Sequence, residues 1–172
     1  MIQQYYHLFQ GPVGWIGLLG SSQGLKGLTM KPTLEEALEE MSSSIDDATA
    51  DPDAFYSEQA CLERYFLGDI AALDDIKLDL ADAPPFFRAA WDACRAIPAG
   101  ETRSYSWLAE AAGNPRASRA AGQSMARNRV ALVIPCHRVI GSSGDLHGYG
   151  AGGLTVKAKL LEMERIAVSP VV

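Results

Sequence analysis

The chain of 172 residues contains no apolar run near the ~20 residues that a membrane span needs, so no membrane partner is expected. Its opening, MIQQYYHLFQ, lacks the basic start and unbroken apolar stretch of a secretory leader, and a cytoplasmic protein is expected. Cysteine is scarce. Cys61, Cys94 and Cys136 are odd in number and far apart, so neither a disulfide framework nor a CxxC metal site can be drawn from them. The three histidines, His7, His137 and His147, form no HxxxH pair, and no metal is expected. Positive charge is also short. A net charge of −6 and a pI near 5.0 disfavour, on average, a nucleic-acid partner, because neutralising phosphate needs lysine and arginine.

What charge there is lies unevenly. Between Thr102 and Arg138 stand Arg103, Arg116, Arg119, Arg127, Arg129 and Arg138 against Glu110 alone. A basic island in an acidic chain points to an anionic partner. Hydrophobic residues make up 48% and charged residues 21%, the balance of a soluble globular protein, and the length allows one ordinary domain or two small ones. The acidic stretch DDIKLDLADAPP ends in two prolines and reads as a linker. It places a boundary near residue 82, with an N-terminal unit over 1–82 and a C-terminal unit over 83–172.

In the N-terminal unit, YYHLF, GWIGLLG and LKGLTM are short apolar runs broken by glycine, which predict a small antiparallel sheet. Thr33 followed by Glu36 is a capping-box pattern, so TLEEALEEM predicts a helix. SSSIDDATADPDA is polar, contains proline and reads as a loop. EQACLERYFLG predicts a second helix stopped by Gly68, with Cys61, Leu62, Tyr65 and Phe66 toward the core.

The C-terminal unit begins with FFRAAWDACRAIPAG, which places Phe87, Ala90, Trp91 and Cys94 on one helical face and makes Cys94 a buried structural thiol. TRSYSWLAEAAGNPRASRAAGQSMARN then supplies two short helices around Gly113-Asn114-Pro115, the first capped by a hydroxyl residue and the second started by proline. That is helix-turn-helix punctuation. In the second helix Arg116 and Arg119 share a face, while Ala117, Ser118, Ala120, Ala121 and Gly122 leave the surface nearly bare. A bare helix can approach a phosphate backbone closely, or equally a neighbouring helix. Val130, Leu132, Val133 and Ile134 read as a buried strand that Pro135 ends. GSSGDLHGYGAGG, with six glycines in thirteen residues, reads as a loop flexible enough to close over a small planar group. LTVKAKLLEMER closes the chain as a helix with Leu154, Ala158 and Leu161 along one face.

The chemistry gathers at IPCHRVIG. A thiol is a useful nucleophile only as a thiolate, so its free pKa of ~8.5 must be lowered by a neighbouring histidine, a helix N-terminus or positive charge. Cys136 has His137 beside it and Arg138 after it. Residue types alone leave open a structural Cys-His pair, a cysteine hydrolase with multiple turnovers, and a group-transfer nucleophile.

IPCHRVIGSSG, with GNPRASRAAGQSMARN and IPAGETRSYSWLAEAAG upstream, resembles the O6-alkylguanine-DNA alkyltransferase family, densely over residues 86–165 and loosely over the N-terminal half. The resemblance implies an α+β protein. A small ribonuclease-H-like sheet-and-helix domain would precede a mostly helical, winged-helix-like domain that carries the cysteine. It further implies irreversible, single-use transfer of an alkyl group from O6-alkylguanine in double-stranded DNA, with O4-alkylthymine as a secondary lesion, by a monomer without a cofactor. By resemblance Cys136 is the acceptor, His137 the base acting through a water, Glu164 the carboxylate behind the imidazole, and Asn128 the amide bracing the turn. Tyr105 would donate toward guanine N3, and Tyr149, Val139, Gly150 and Ala151 would line the base pocket. Arg119 would enter the stack as the damaged nucleotide leaves it, while Arg116, Ala117, Ser118, Ala120, Gly122 and Arg127 would contact DNA in the minor groove. Two departures stand out: GYGAGGL carries one residue more than the family's spacing, and Arg129 stands where proline is common. A lesion binder without catalysis is the alternative, but such relatives lack the cysteine.

Overall fold

Three apolar runs separated by glycine fold back on one another at the start of the computed structural model, which describes residues 1–169. β1 (Gln4–Gly11), β2 (Gly14–Ser21) and β3 (Gly24–Lys31) form the expected antiparallel meander. Gly14 turns the first corner at φ 119°, where any Cβ would strike the Lys31 carbonyl. A fourth strand corrects the loop expected after the first helix: β4 (Ala48–Ala50) pairs parallel with β1. The resulting order β3-β2-β1-β4 is the small ribonuclease-H-like sheet.

α1 (Leu34–Ile45) opens with the full capping box, Glu36 N donating to Thr33 Oγ1 at 3.2 Å and Thr33 N to Glu36 Oε2 at 3.1 Å. It lays Ala37 and Met41 on the sheet, close enough that a Cβ on Gly17 would collide with the Met41 sulfur. α2 (Tyr56–Phe66) buries Leu62 and Tyr65 completely. Cys61 is only half-buried, which corrects its placement in the core: it sits one helical step to the side of the Leu62–Tyr65 stripe.

These elements form one unit, Met1–Leu80 joined by Arg129–Ala131. Nothing in the sequence marks the passage 129–131 as part of it, yet Leu28 N donates to Arg129 O at 2.8 Å and Leu28 bridges Val130.

The second unit comprises Ala81–Asn128 and Leu132–Val172, of which the last three residues lie outside those described. Pro85 starts α3 (Pro85–Arg95), which buries Ala90, Trp91 and Cys94. Ser104 Oγ accepts from Trp107 N at 3.1 Å and caps α4 (Tyr105–Ala111). α5 (Ser118–Ala126) begins three residues later than Pro115 suggests. Asn114 Oδ1 accepts from Arg116 N at 3.2 Å and folds the intervening residues into a turn, so Arg116 precedes the helix and does not share its face with Arg119. Trp91 Nε1 donates to Ser124 O at 2.8 Å, tying α3 to α5.

The strand expected over 130–134 does not form. Leu132 adopts φ 70°, which interrupts any extended run, although all five residues are buried as their composition demands. In its place β5 (Arg103–Ser104) pairs parallel with β6 (Val139–Ile140), and α6 (Gly153–Val168) completes an α+β architecture. The buried stripe of α6 is Lys157, Leu160 and Glu164; Leu154 and Ala158, expected on the packed face, are exposed.

Candidate active site

Pro135 leads into one turn of 3-10 helix, Cys136–Arg138, closed by Arg138 N donating to Pro135 O at 2.9 Å. Three residues per turn spread consecutive side chains around the axis instead of alternating them as a strand would. Adjacent residues can therefore work on one site. All three are buried, His137 completely. Asn128 Nδ2 donates to Ile134 O at 2.8 Å and closes the chain back over the segment that precedes the turn.

His137 Nε2 lies 2.7 Å from Glu164 Oε1, reaching from the turn to α6. Burial alone would raise the Glu164 carboxyl, but hydrogen bonds from His137 and Arg138 outweigh it and hold the group at about 2. An ionised carboxylate only accepts, so Nε2 carries the ring proton. Burial also lowers the His137 pKa, against the pull of Glu164, and keeps the imidazole neutral. Nδ1 is then an unprotonated nitrogen, buried without a hydrogen-bond partner among the described residues.

The Cys136 thiol departs from expectation. Burial pushes its pKa up, against an Asn128 hydrogen bond, the Lys157 charge and local backbone N–H groups. The groups favouring a thiolate are thus Asn128 and Lys157, and at rest the sulfur keeps its proton.

The β5–β6 pairing sets Tyr105, first residue of α4, beside this turn. Burial first, then the nearby Cys136, raises its phenol, and a Cβ on Gly122 of α5 would stand 3.9 Å from its ring. Tyr149 is buried with its ring edge-on to His137 at 6.4 Å, and its hydroxyl has no hydrogen-bond partner among the described residues. Val139 is fully buried, Ala151 half-buried and Gly150 exposed.

The first part of the glycine-rich segment, 141–146, is held by specific hydrogen bonds. Gly141 N donates to Asp145 O at 2.7 Å, and the buried Lys157 ammonium donates to Val139 O at 2.8 Å and also to Leu146 O. His147, at φ 55°, stands edge-on to Tyr105 with ring centroids 5.7 Å apart.

On α5 the bare surface divides. Ala121, Ser124 and Met125 pack inward, while Ser118, Ala120 and Gly122 are half-buried and Arg119 and Arg127 are exposed. Arg116 is exposed and Ala117 half-buried in the preceding turn. The basic island is correspondingly smaller in three dimensions: Arg103 pairs with Glu101 at 2.6 Å, and Arg138 is buried against Glu164.

Sequence reading misses Lys157 as a member of the site and takes Arg138 only as a charge beside the thiol, not as the partner of Glu164. Long cations read as surface residues, and their partners lie 26 and 18 residues away, Glu164 for Arg138 and the Val139 carbonyl for Lys157. Among the described residues no cluster of His, Cys, Asp and Glu could hold a metal, and no helix is long and apolar enough to cross a membrane.

The family model for the DNA-binding domain of 6-O-methylguanine DNA methyltransferase matches residues 85–166. A methylated-DNA-protein-cysteine methyltransferase of Methanosarcina acetivorans is 38% identical over 161 residues, 93% of this chain and 97% of that protein. The crystal structure of Mycobacterium tuberculosis OGT in complex with DNA matches with a TM-score of 0.80 at 38% identity, covering 95% of this chain and 94% of that one. The O6-methylguanine-DNA methyltransferase of Pyrococcus kodakaraensis matches at 0.71 and 25% identity, over 92% and 98% of the two chains.

Proposed function

The chain belongs to the methylated-DNA-protein-cysteine methyltransferase family, and on that premise we propose that Cys136 is the sulfur that accepts the alkyl group from O6-alkylguanine in double-stranded DNA. One observation carries the assignment. Cys136 shares a buried turn with His137, whose far nitrogen is held by Glu164 at 2.7 Å. The other thiols have different surroundings: Cys94 is sealed in the core face of α3, and the Cys61 thiol is pushed up first by partial burial and then by Asp75, Glu58 and Asp69, which together outweigh the pull of Arg64.

O6 is out of reach inside a duplex, so the nucleotide must leave the stack at a cost of a few kcal/mol. Arg119 is the exposed cation of α5 that fills the gap. Arg116 and Arg127 contact phosphates, and the small residues Ala117, Ser118, Ala120 and Gly122 let the backbone approach the minor groove. In the pocket the Tyr105 hydroxyl donates to the base, which Val139, Tyr149, Gly150 and Ala151 enclose. His137 Nδ1 receives the thiol proton, directly or through a water. The sulfur attacks the alkyl carbon as the C–O6 bond breaks. In net terms the thiol proton ends on guanine and the alkyl group remains as a thioether. No hydrolytic step returns the thiol, so each molecule reacts once.

Protein mixed with duplex DNA carrying a single O6-methylguanine should gain a methyl group on the Cys136 peptide, saturating at one per protein by mass spectrometry. Retained DNA with an unmodified peptide would make the chain a lesion binder. A methyl group on Cys61 or Cys94 would move the nucleophile.

A further inference from the structure

The alkyl-transfer reading gives roles to His137 and Glu164 and leaves Arg138, which holds the same carboxylate, without one. Arg138 is buried, with Nε donating to Glu164 Oε2 at 2.9 Å, Nη2 to Glu164 Oε1 at 2.8 Å and Nη1 to Ile97 O at 2.7 Å. The guanidinium fork thus covers both carboxylate oxygens from one side, and Oε1 also meets His137 Nε2. Stability alone does not call for such an arrangement, because apolar side chains of similar volume often fill a site of this kind at least as well.

We propose that Arg138 is a positioning residue for the alkyl transfer: its fork keeps Glu164 an oriented anion, which holds the His137 proton on Nε2 and leaves Nδ1 bare to receive the proton of Cys136. The proposal rests on the reading of Cys136 as the acceptor. Without the fork, a carboxyl group buried at this depth would itself take up a proton more readily. A protonated Glu164 would donate to Nε2 and drive the ring proton to Nδ1, and a proton shared by the pair would make an imidazolium. Either state blocks the base. The charged and titratable groups around the pair are Cys136 and Arg138 of the same turn, Lys157 of α6, Tyr149 of the glycine-rich segment and the buried Cys94 thiol of α3. Arg138 and Lys157 both oppose an imidazolium at His137 while Glu164 favours it, so loss of Arg138 tips the balance toward protonation.

Single-turnover methyl transfer measured across pH for the wild type, R138K and R138M tests this, together with 15N spectra of histidine-labelled protein. In R138M the acid limb of the rate profile should move up by about one pH unit, with the rate recovering toward wild type on the alkaline side. R138K should show a smaller shift in the same direction, and Nδ1 should be unprotonated in the wild type but protonated in R138M at the same pH. A uniform loss of rate with an unmoved acid limb would reduce Arg138 to a structural role, and a protonated Nδ1 in the wild type would overturn the proposal. Should R138M fail to fold, R138K decides, an unmoved acid limb and ring proton counting against the proposal. If wild-type protein takes up no methyl group, the acceptor reading fails, and the nitrogen spectra still decide what Arg138 does to His137.

Discussion

The two units of this protein bury different kinds of side chain. The first closes on Ile16, Leu18, Leu25, Met30, Leu62 and Tyr65, whereas every buried polar or charged side chain among the described residues, Ser124, His137, Arg138, Lys157 and Glu164, belongs to the second. An apolar side chain asks only for contact, so its neighbours are interchangeable within limits of volume. A buried charge asks for particular partners at particular angles. The first core therefore fixes a fold, and the second also fixes the orientation of each group around one sulfur.

Removing a partner from the charged core should give the largest effect. Glu164→Leu strands the Arg138 guanidinium and should cost about 3–5 kcal/mol in urea denaturation; a loss below ~1 kcal/mol would show that the pair adds nothing. Acid should separate the units in the same sense. The folded Glu164 carboxyl lies at about 2, below its ordinary value, so its stabilisation is present above that ordinary value and lost as pH falls toward 2. His137 is also lowered in the fold, and its share is lost as pH falls through the ordinary histidine range. Hydrogen exchange on acidification should expose α3, α5 and α6 before β1–β3, and simultaneous loss would erase the distinction.

In the apolar core, Leu62→Ala should cost about 2–5 kcal/mol without changing the pH dependence of stability, which the same denaturation series at two pH values would check. Methylated Cys136 adds volume to a close-packed site and should lower stability by about 1–3 kcal/mol; a melting temperature equal to or above that of the unreacted protein would contradict this. The smallest change belongs to the exposed face. Arg119→Ala should slow transfer from duplex DNA roughly tenfold while leaving attack on free O6-benzylguanine unchanged, and equal losses on both substrates would remove its part in base extrusion.

The contrast also explains what could be read in advance. Glycine-broken apolar runs and the Thr33–Glu36 box state their own local structure, so β1–β3 and α1 are legible without tertiary context. The Cys136–His137 pair is legible because thiol and imidazole adjoin in the chain. β4 is not, since Ala48–Ala50 has no strand composition and exists through its pairing with β1. The segment 130–134 misleads in the other direction: its apolar run reports burial correctly, but the turn at Leu132 is no strand. The packed face of α6 is hidden because Lys157 and Glu164 look like solvent-facing residues until their distant partners are known.

Lys157 has a consequence that extends past the reaction. Its ammonium holds the Val139 carbonyl just before the glycine-rich segment and the Leu146 carbonyl within it, and favours negative charge on Cys136. Two buried cations, Arg138 and Lys157, stand with one buried carboxylate, and the resting thiol adds no charge to that count. A thiol can still ionise when its proton is taken, whereas a thioether cannot. The reacted molecule has therefore lost for good the one group that could have answered Lys157, and its single use is recorded at the sulfur as a lost capacity to ionise.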